Sequence, residues 1–105
     1  VWAGSGPDSP DLAKIGSIGL RINRGISSHG LSLNVSCDLA PFDSVTACGI
    51  EGGRATSILE FCGQAPDVRE AGASVAAALA KLLDRPLIEI EPELCGIAPA
   101  GVATA

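Results

Sequence analysis

Two alternating runs, Ile18 to Asn23 and Ile26 to Ser36, stand on either side of the dipeptide Arg24-Gly25. In the first, Ile18, Leu20 and Ile22 share one face and Gly19, Arg21 and Asn23 the other. In the second, Leu31, Leu33 and Val35 alternate with Gly30, Ser32 and Asn34. A period of two over this length is the pattern of a half-buried strand. With Arg24-Gly25 breaking the run, the two strands are expected to form a β-hairpin. Gly16, Gly19 and Gly30 are poor strand formers, and glycine inside a strand marks a bulge or the close approach of a ligand to the backbone.

The rest of the chain reads as loops and helical turns around that hairpin. Val1-Trp2 resembles the end of a strand, and Gly4 to Asp11 (GSGPDSPD) is rich in turn residues. Asp38 to Asp43 (DLAPFD) predicts a turn leading into a short helical turn, and Ala55 to Phe61 a short strand. Asp67 and Glu70, after Pro66, form an Asp-x-x-Glu capping box. The helix they open carries Val68, Val75, Leu79, Leu82 and Leu83 near one face and ends around Asp84, ahead of Pro86. Leu87 to Glu91 suggests an edge strand, and the tail from Cys95 is expected to fray.

At 105 residues the chain is one domain at most, or part of a larger one. Its 47% apolar content supports an aliphatic core, with Trp2, Phe42 and Phe61 as its aromatics. No run of about 18 apolar residues offers a transmembrane helix. The opening VWAGSGPDSPDLAK lacks the basic-then-apolar pattern of a secretion signal. With no initiator Met, the sequence reads as a fragment.

A net charge of −5 argues against nucleic-acid binding, which needs a basic footprint. The charge is uneven: residues 1–54 are close to neutral at −1, and residues 55–105 carry −4. Lys14, Arg21 and Arg24 cluster early, so an acidic partner would dock there; a solvated strand edge explains the same cluster.

Four cysteines and a single histidine limit the chemistry. Cys37, Cys48, Cys62 and Cys95 include no C-x₂₋₄-C pair, and His29 stands alone, which argues against a zinc site. Nothing suggests an oxidising compartment, so disulfides are not expected. Cys37, Cys62 and Cys95 are expected as small buried thiols. Cys48 differs, because Gly49, Gly52 and Gly53 follow it in TACGIEGG. Bare backbone there gives a substrate carbonyl access to the sulfur and frees N–H groups to stabilise an oxyanion. A thiol of pKa about 8.5 is only a few per cent thiolate at neutral pH, so a nucleophile needs a base or a cation nearby. His29 and Lys14 are both available for that role, and the residues alone do not rank them.

Taken together, K-I-x-S-I-G from Lys14, H-G-L-x-L-N from His29 to Asn34, D-L-x-P-F from Asp38, C-G-I from Cys48 and Thr56-Ser57 are collinear. In this combination the chain resembles the lipoyl(octanoyl) transferase family from about residue 14 to 60. The resemblance implies the α/β (α+β) fold of biotin and lipoate protein ligases, a mixed sheet with flanking helices, incomplete at its N-terminus. Residues 1–94 would be the C-terminal portion of a single catalytic domain, and residues 95–105 a flexible tail. It implies transfer of an octanoyl group from octanoyl-acyl carrier protein to a lysine of lipoyl domains. Those acceptors belong to 2-oxoacid dehydrogenases and the glycine cleavage H protein.

By the same resemblance, Cys48 forms the acyl-thioester and Lys14 lowers its pKa and shuttles protons. Ser17, Ile18 and Gly19, with Gly30, Leu31 and Ser32, match the family's segments along the acyl chain. His29 and Asn34 are assigned to shaping the pocket. The family pairs Cys with Lys, so His29 is not expected to be the base. No cofactor, metal, nucleic acid or membrane is implied, and the expected compartment is the bacterial cytoplasm, or an organelle in a eukaryote. No phosphate-binding G-x-x-x-x-G-K-[ST] loop is present.

Two departures stand out. Ala47 occupies the place where the family commonly has proline. The family's upstream R-G-G and H-G-P-G-Q-like segments are absent, so the 105-residue chain is expected to be inactive alone. Two other readings share these residues: an amidotransferase moving octanoyl or lipoyl groups between carrier proteins, and a non-catalytic acyl-binding module.

Overall fold

The computed structural model describes residues 1–45 and 53–91. Two compact units divide the chain, Val1–Ala71 and Gly72–Ala105. In the first, β1 (Trp2–Ala3) pairs antiparallel with β2 (Ala13–Lys14), matching Trp2 to Lys14 and Ala3 to Ala13. The loop between them is closed by local polar bonds. Ser5 donates its hydroxyl (2.6 Å) and its N–H (3.1 Å) to the Asp11 carboxylate, and the Ser9 hydroxyl donates to the Gly6 carbonyl at 2.8 Å. The Ser5 and Ser9 hydroxyls hold the Asp11 pKa down at about 2.

The expected hairpin is present as β3 (Gly16–Asn23) and β4 (Ile26–Leu33). Its register is one-to-one from Gly16↔Leu33 to Asn23↔Ile26, with no bulge. Arg24 and Gly25 both have positive φ (50° and 78°), the signature of a two-residue type I′ turn. That turn matches the right-handed twist of the strands, so this dipeptide folds the chain back where the alternation stops. The alternation does not lead to burial within the described residues. Ile18, Leu20, Ile22 and Leu31 are all exposed, at 50–74%. The period of two reports which face is apolar, whereas burial depends on what packs against it.

Other expectations divide in the same way. The D-L-x-P-F stretch forms the short helical turn as a 3₁₀ segment, Ala40–Ser44, with proline at its start. Ala55 to Phe61 is not a strand. Only Ala55 pairs, as a parallel bridge to Lys14, and Ser57 then caps α1 (Ile58–Cys62) by accepting from the Glu60 N–H at 3.1 Å. Gly63, at φ 76°, ends that helix. Leu87 to Glu91 pairs with no strand among the described residues. Cys37 and Cys62 are exposed free thiols rather than buried ones: Cys37 lies in the loop after β4, and Cys62 is the last residue of α1. Cys95 and the tail lie outside the described residues.

The second helix, α2 (Val68–Leu83), begins with the expected capping box. The Asp67 carboxylate accepts from the Arg69 N–H at 2.7 Å, and the Glu70 carboxylate accepts from the Asp67 N–H at 3.1 Å. It closes in a Schellman motif. Arg85 N–H donates to the Ala80 carbonyl (3.0 Å) and Asp84 N–H to the Lys81 carbonyl (3.3 Å), with Asp84 at φ 51°. Antiparallel strands, one parallel bridge and two helices make the architecture of the described residues α+β. No helix among the described residues is long and apolar enough to cross a membrane.

Candidate active site

Lys14 occupies the end of β2, where three segments meet. Its N–H donates to the Arg54 carbonyl at 2.7 Å, and its carbonyl accepts from the Thr56 N–H at 2.9 Å. These two bonds are the parallel bridge to Ala55. Thr56 and Ser57, just beyond it, are buried. Asn34, following β4, completes the junction. Its N–H donates to the Ile15 carbonyl (2.8 Å), its side-chain amide donates to the Thr56 carbonyl (3.0 Å), and its own carbonyl accepts from the Ile58 N–H (2.9 Å).

A cavity of about 90 Å³ opens beside Lys14, lined also by Gly16, Ser17, Ser32, Asn34, Phe42 and Ala55. Ser17 and Ser32 are a cross-strand pair, so they present together on one face of the hairpin. Ile18 and Leu31 are the next pair and fall on the opposite face; they do not line this cavity. A second, wider groove of about 380 Å³ is bordered by Leu39, Asp43, Arg54, Ala55 and Glu60. Ala55 therefore stands between the two.

Of the expected site residues, Lys14, Ser17, Ser32 and Asn34 come together here. Gly19 and Gly30 pair with each other further along the hairpin, with open space over both. His29 is exposed and pairs with Leu20, its φ of 73° in the left-handed region. Cys48 lies outside the described residues. The reading from sequence marked Gly16 only as a bulge or a point of ligand approach, and it missed Phe42 and Ala55 as lining residues. Phe42 belongs to the D-L-x-P-F motif, which was its available signal, while nothing local marks Ala55. No group of three or more potential metal ligands occurs among the described residues.

Residues 4–80 match the lipoyl protein ligase A/B catalytic domain. The chain belongs to that family. Among curated members of the lipoyl protein ligase A/B family, it is 51% identical over 73 residues to an octanoyltransferase of Aromatoleum aromaticum, covering 70% of this chain and 31% of that protein. It is 56% identical over 66 residues to the Hahella chejuensis octanoyltransferase (63% of this chain, 27% of that protein). With the Chromohalobacter salexigens octanoyltransferase it shares 38% identity over 95 residues (87% and 43%). The chain thus spans less than half the length of the curated relatives it matches. The matched region contains the whole junction built around Lys14 and Asn34.

Proposed function

We propose that this chain carries the reacting centre of an octanoyltransferase, with Cys48 as the acyl-bearing nucleophile and Lys14 as its proton partner. The donor is octanoyl-acyl carrier protein, the acceptor a lipoyl-domain lysine, and the setting the bacterial cytoplasm. One observation carries the reading. Backbone bonds to Arg54 and Thr56 fix Lys14 beside the segment that follows Cys48, and Phe42, which precedes Cys48, lines the same cavity. Both flanks of the cysteine segment therefore border the lysine.

The chemistry is two acyl exchanges. The Cys48 thiolate attacks the donor's thioester carbonyl, and collapse of the adduct breaks the carbon–sulfur bond to the carrier, whose thiolate takes a proton from the Lys14 ammonium. The acceptor amine then attacks the acyl-cysteine. The carbon–sulfur bond to Cys48 breaks, the amide forms, and the amine's proton returns to Lys14. The first step trades thioester for thioester at nearly equal energy and the second forms a more stable amide, so no nucleotide is consumed. Lowering the thiol pKa by one unit asks for about 1.4 kcal/mol of preferential stabilisation of the thiolate. A partly desolvated ammonium nearby supplies that amount.

The test is intact mass of the full-length protein after exposure to octanoyl-acyl carrier protein. One added octanoyl group is expected, absent in Cys48→Ala. An adduct that survives Cys48→Ala refutes the assignment of the nucleophile.

A further inference from the structure

We propose that Asn34 is a positioning residue for Lys14, acting through the backbone of Thr56 and not as part of the pocket wall alone. The inference rests on the reading of Lys14 as the group that activates Cys48. Its basis is a closed ring of bonds. Asn34 N–H donates to the Ile15 carbonyl, Ile15 is covalently joined to Lys14, the Lys14 carbonyl accepts from Thr56 N–H, and the Thr56 carbonyl accepts from the Asn34 side-chain amide. Each contact is 2.8–3.0 Å long. The same residue also receives the Ile58 N–H at the start of α1. Through one side-chain and two backbone bonds, Asn34 therefore braces the backbone bridge between the strand carrying Lys14 and the segment that follows Cys48.

The chemistry of the ring is selective. Thr56 offers a carbonyl oxygen, so position 34 must present a donor at the reach of a two-carbon side chain. Aspartate has the same shape but presents an oxygen to an oxygen. Serine is too short. Glutamine carries its amide one carbon further out. Thr56 is 1% exposed, which leaves its carbonyl poorly placed to find water once the amide is gone. Freed at Thr56, the bridge to Lys14 loses one side of its support, and the ammonium no longer holds a fixed position against the thiol.

The experiment uses the full-length protein and follows acylation of Cys48 by octanoyl-acyl carrier protein in single turnovers across pH, by intact mass. In parallel, alkylation of the Cys48-containing peptide by iodoacetamide titrates the thiol directly. Asn34→Asp is expected to move both pH midpoints up by about one unit, a tenfold loss of thiolate below the midpoint. Asn34→Ala removes the amide without adding a carboxylate, whose own charge would raise the thiol midpoint; it must show the same upward shift, and it serves alone where Asn34→Asp fails to fold. A variant that melts earlier but keeps both wild-type midpoints overturns the proposal, because a merely structural role would lower stability without moving the thiol. Lys14→Met separates the two levels of the argument. If it leaves the midpoints unmoved, the Lys14–Cys48 reading fails; if it shifts them and Asn34→Asp does not, only the role of Asn34 fails.

Discussion

Gly16 and Gly19 stand three residues apart on the same strand, and the structure assigns them different reasons for being glycine. A Cβ built on Gly16 collides with the carbonyl oxygen of Ser32 on the paired strand, with the Ser32 carbonyl carbon at 3.5 Å and Leu33 Cα at 3.6 Å behind it. These are backbone atoms, so no rotamer change relieves the clash. Gly16→Ala must separate β3 from β4 where the ladder begins. Overpacking of this kind costs about 1–3 kcal/mol. In a protein of 150–250 residues each kcal/mol lowers the melting temperature by about 2–4 °C. Gly19, in contrast, has no described residue within 4 Å of the position a Cβ would take, and no positive φ. Gly19→Ala should leave stability unchanged or raise it by about 0.4–1 kcal/mol through the unfolded state. Its methyl would nonetheless stand where the family resemblance implies that the acyl chain lies, raising KM for the octanoyl donor. Thermal unfolding and transfer kinetics of the two full-length variants, read together, test this. A Gly19→Ala protein that melts as early as Gly16→Ala, or a Gly16→Ala protein that melts like wild type, would refute the argument.

Two further outcomes follow from the described geometry. His29→Asn should retain octanoyl transfer, since asparagine tolerates the left-handed φ of 73° as histidine does; a loss beyond tenfold in kcat would show that the imidazole serves as base. Asp11, held at about 2 against an ordinary 3.8, stabilises the Gly4–Asp11 loop fully above pH 3.8, and that contribution disappears as pH falls through 2. Ser5→Ala should return the Asp11 midpoint towards 3.8 in a carboxyl-carbon NMR titration, and a wild-type midpoint already at 3.8 would contradict the assigned hydrogen bonds.

Much of the fold was legible because it is coded locally. The hairpin follows from a period of two on each side of Arg24-Gly25, whose positive φ values suit a type I′ turn. The capping box of α2 follows from Asp67 and Glu70, whose side chains find each other's neighbourhood within one turn. Leu87 to Glu91 failed because an apolar run becomes a strand only beside a partner edge, which local sequence does not provide. The exposed face of Ile18, Leu20, Ile22 and Leu31 teaches the same point for burial.

The site was legible in part, and its misreadings gather around Lys14. Ala55 to Phe61 has the composition of a strand, yet pairing stops after the single bridge at Ala55. Two competing demands meet at that point. Ser57 turns its hydroxyl to the Glu60 N–H, which commits the next residues to helix, while Thr56 remains extended between Lys14 and Asn34. A continuing strand would have satisfied the backbone equally well along a ladder. It would also have left Asn34 without the Thr56 carbonyl in its present orientation, since the helix start fixes both Thr56 and the Ile58 N–H that Asn34 accepts. Propensity at Ala55–Phe61 therefore gives way to long-range bonds from residues 14 and 34, and such bonds carry no local signature. For the same reason the H-G-L-x-L-N motif was informative as a pattern while the partners of its asparagine were not. The residue that ties the lysine's strand to the segment after the cysteine is recognisable only once β2, β4 and the start of α1 are seen to converge on it.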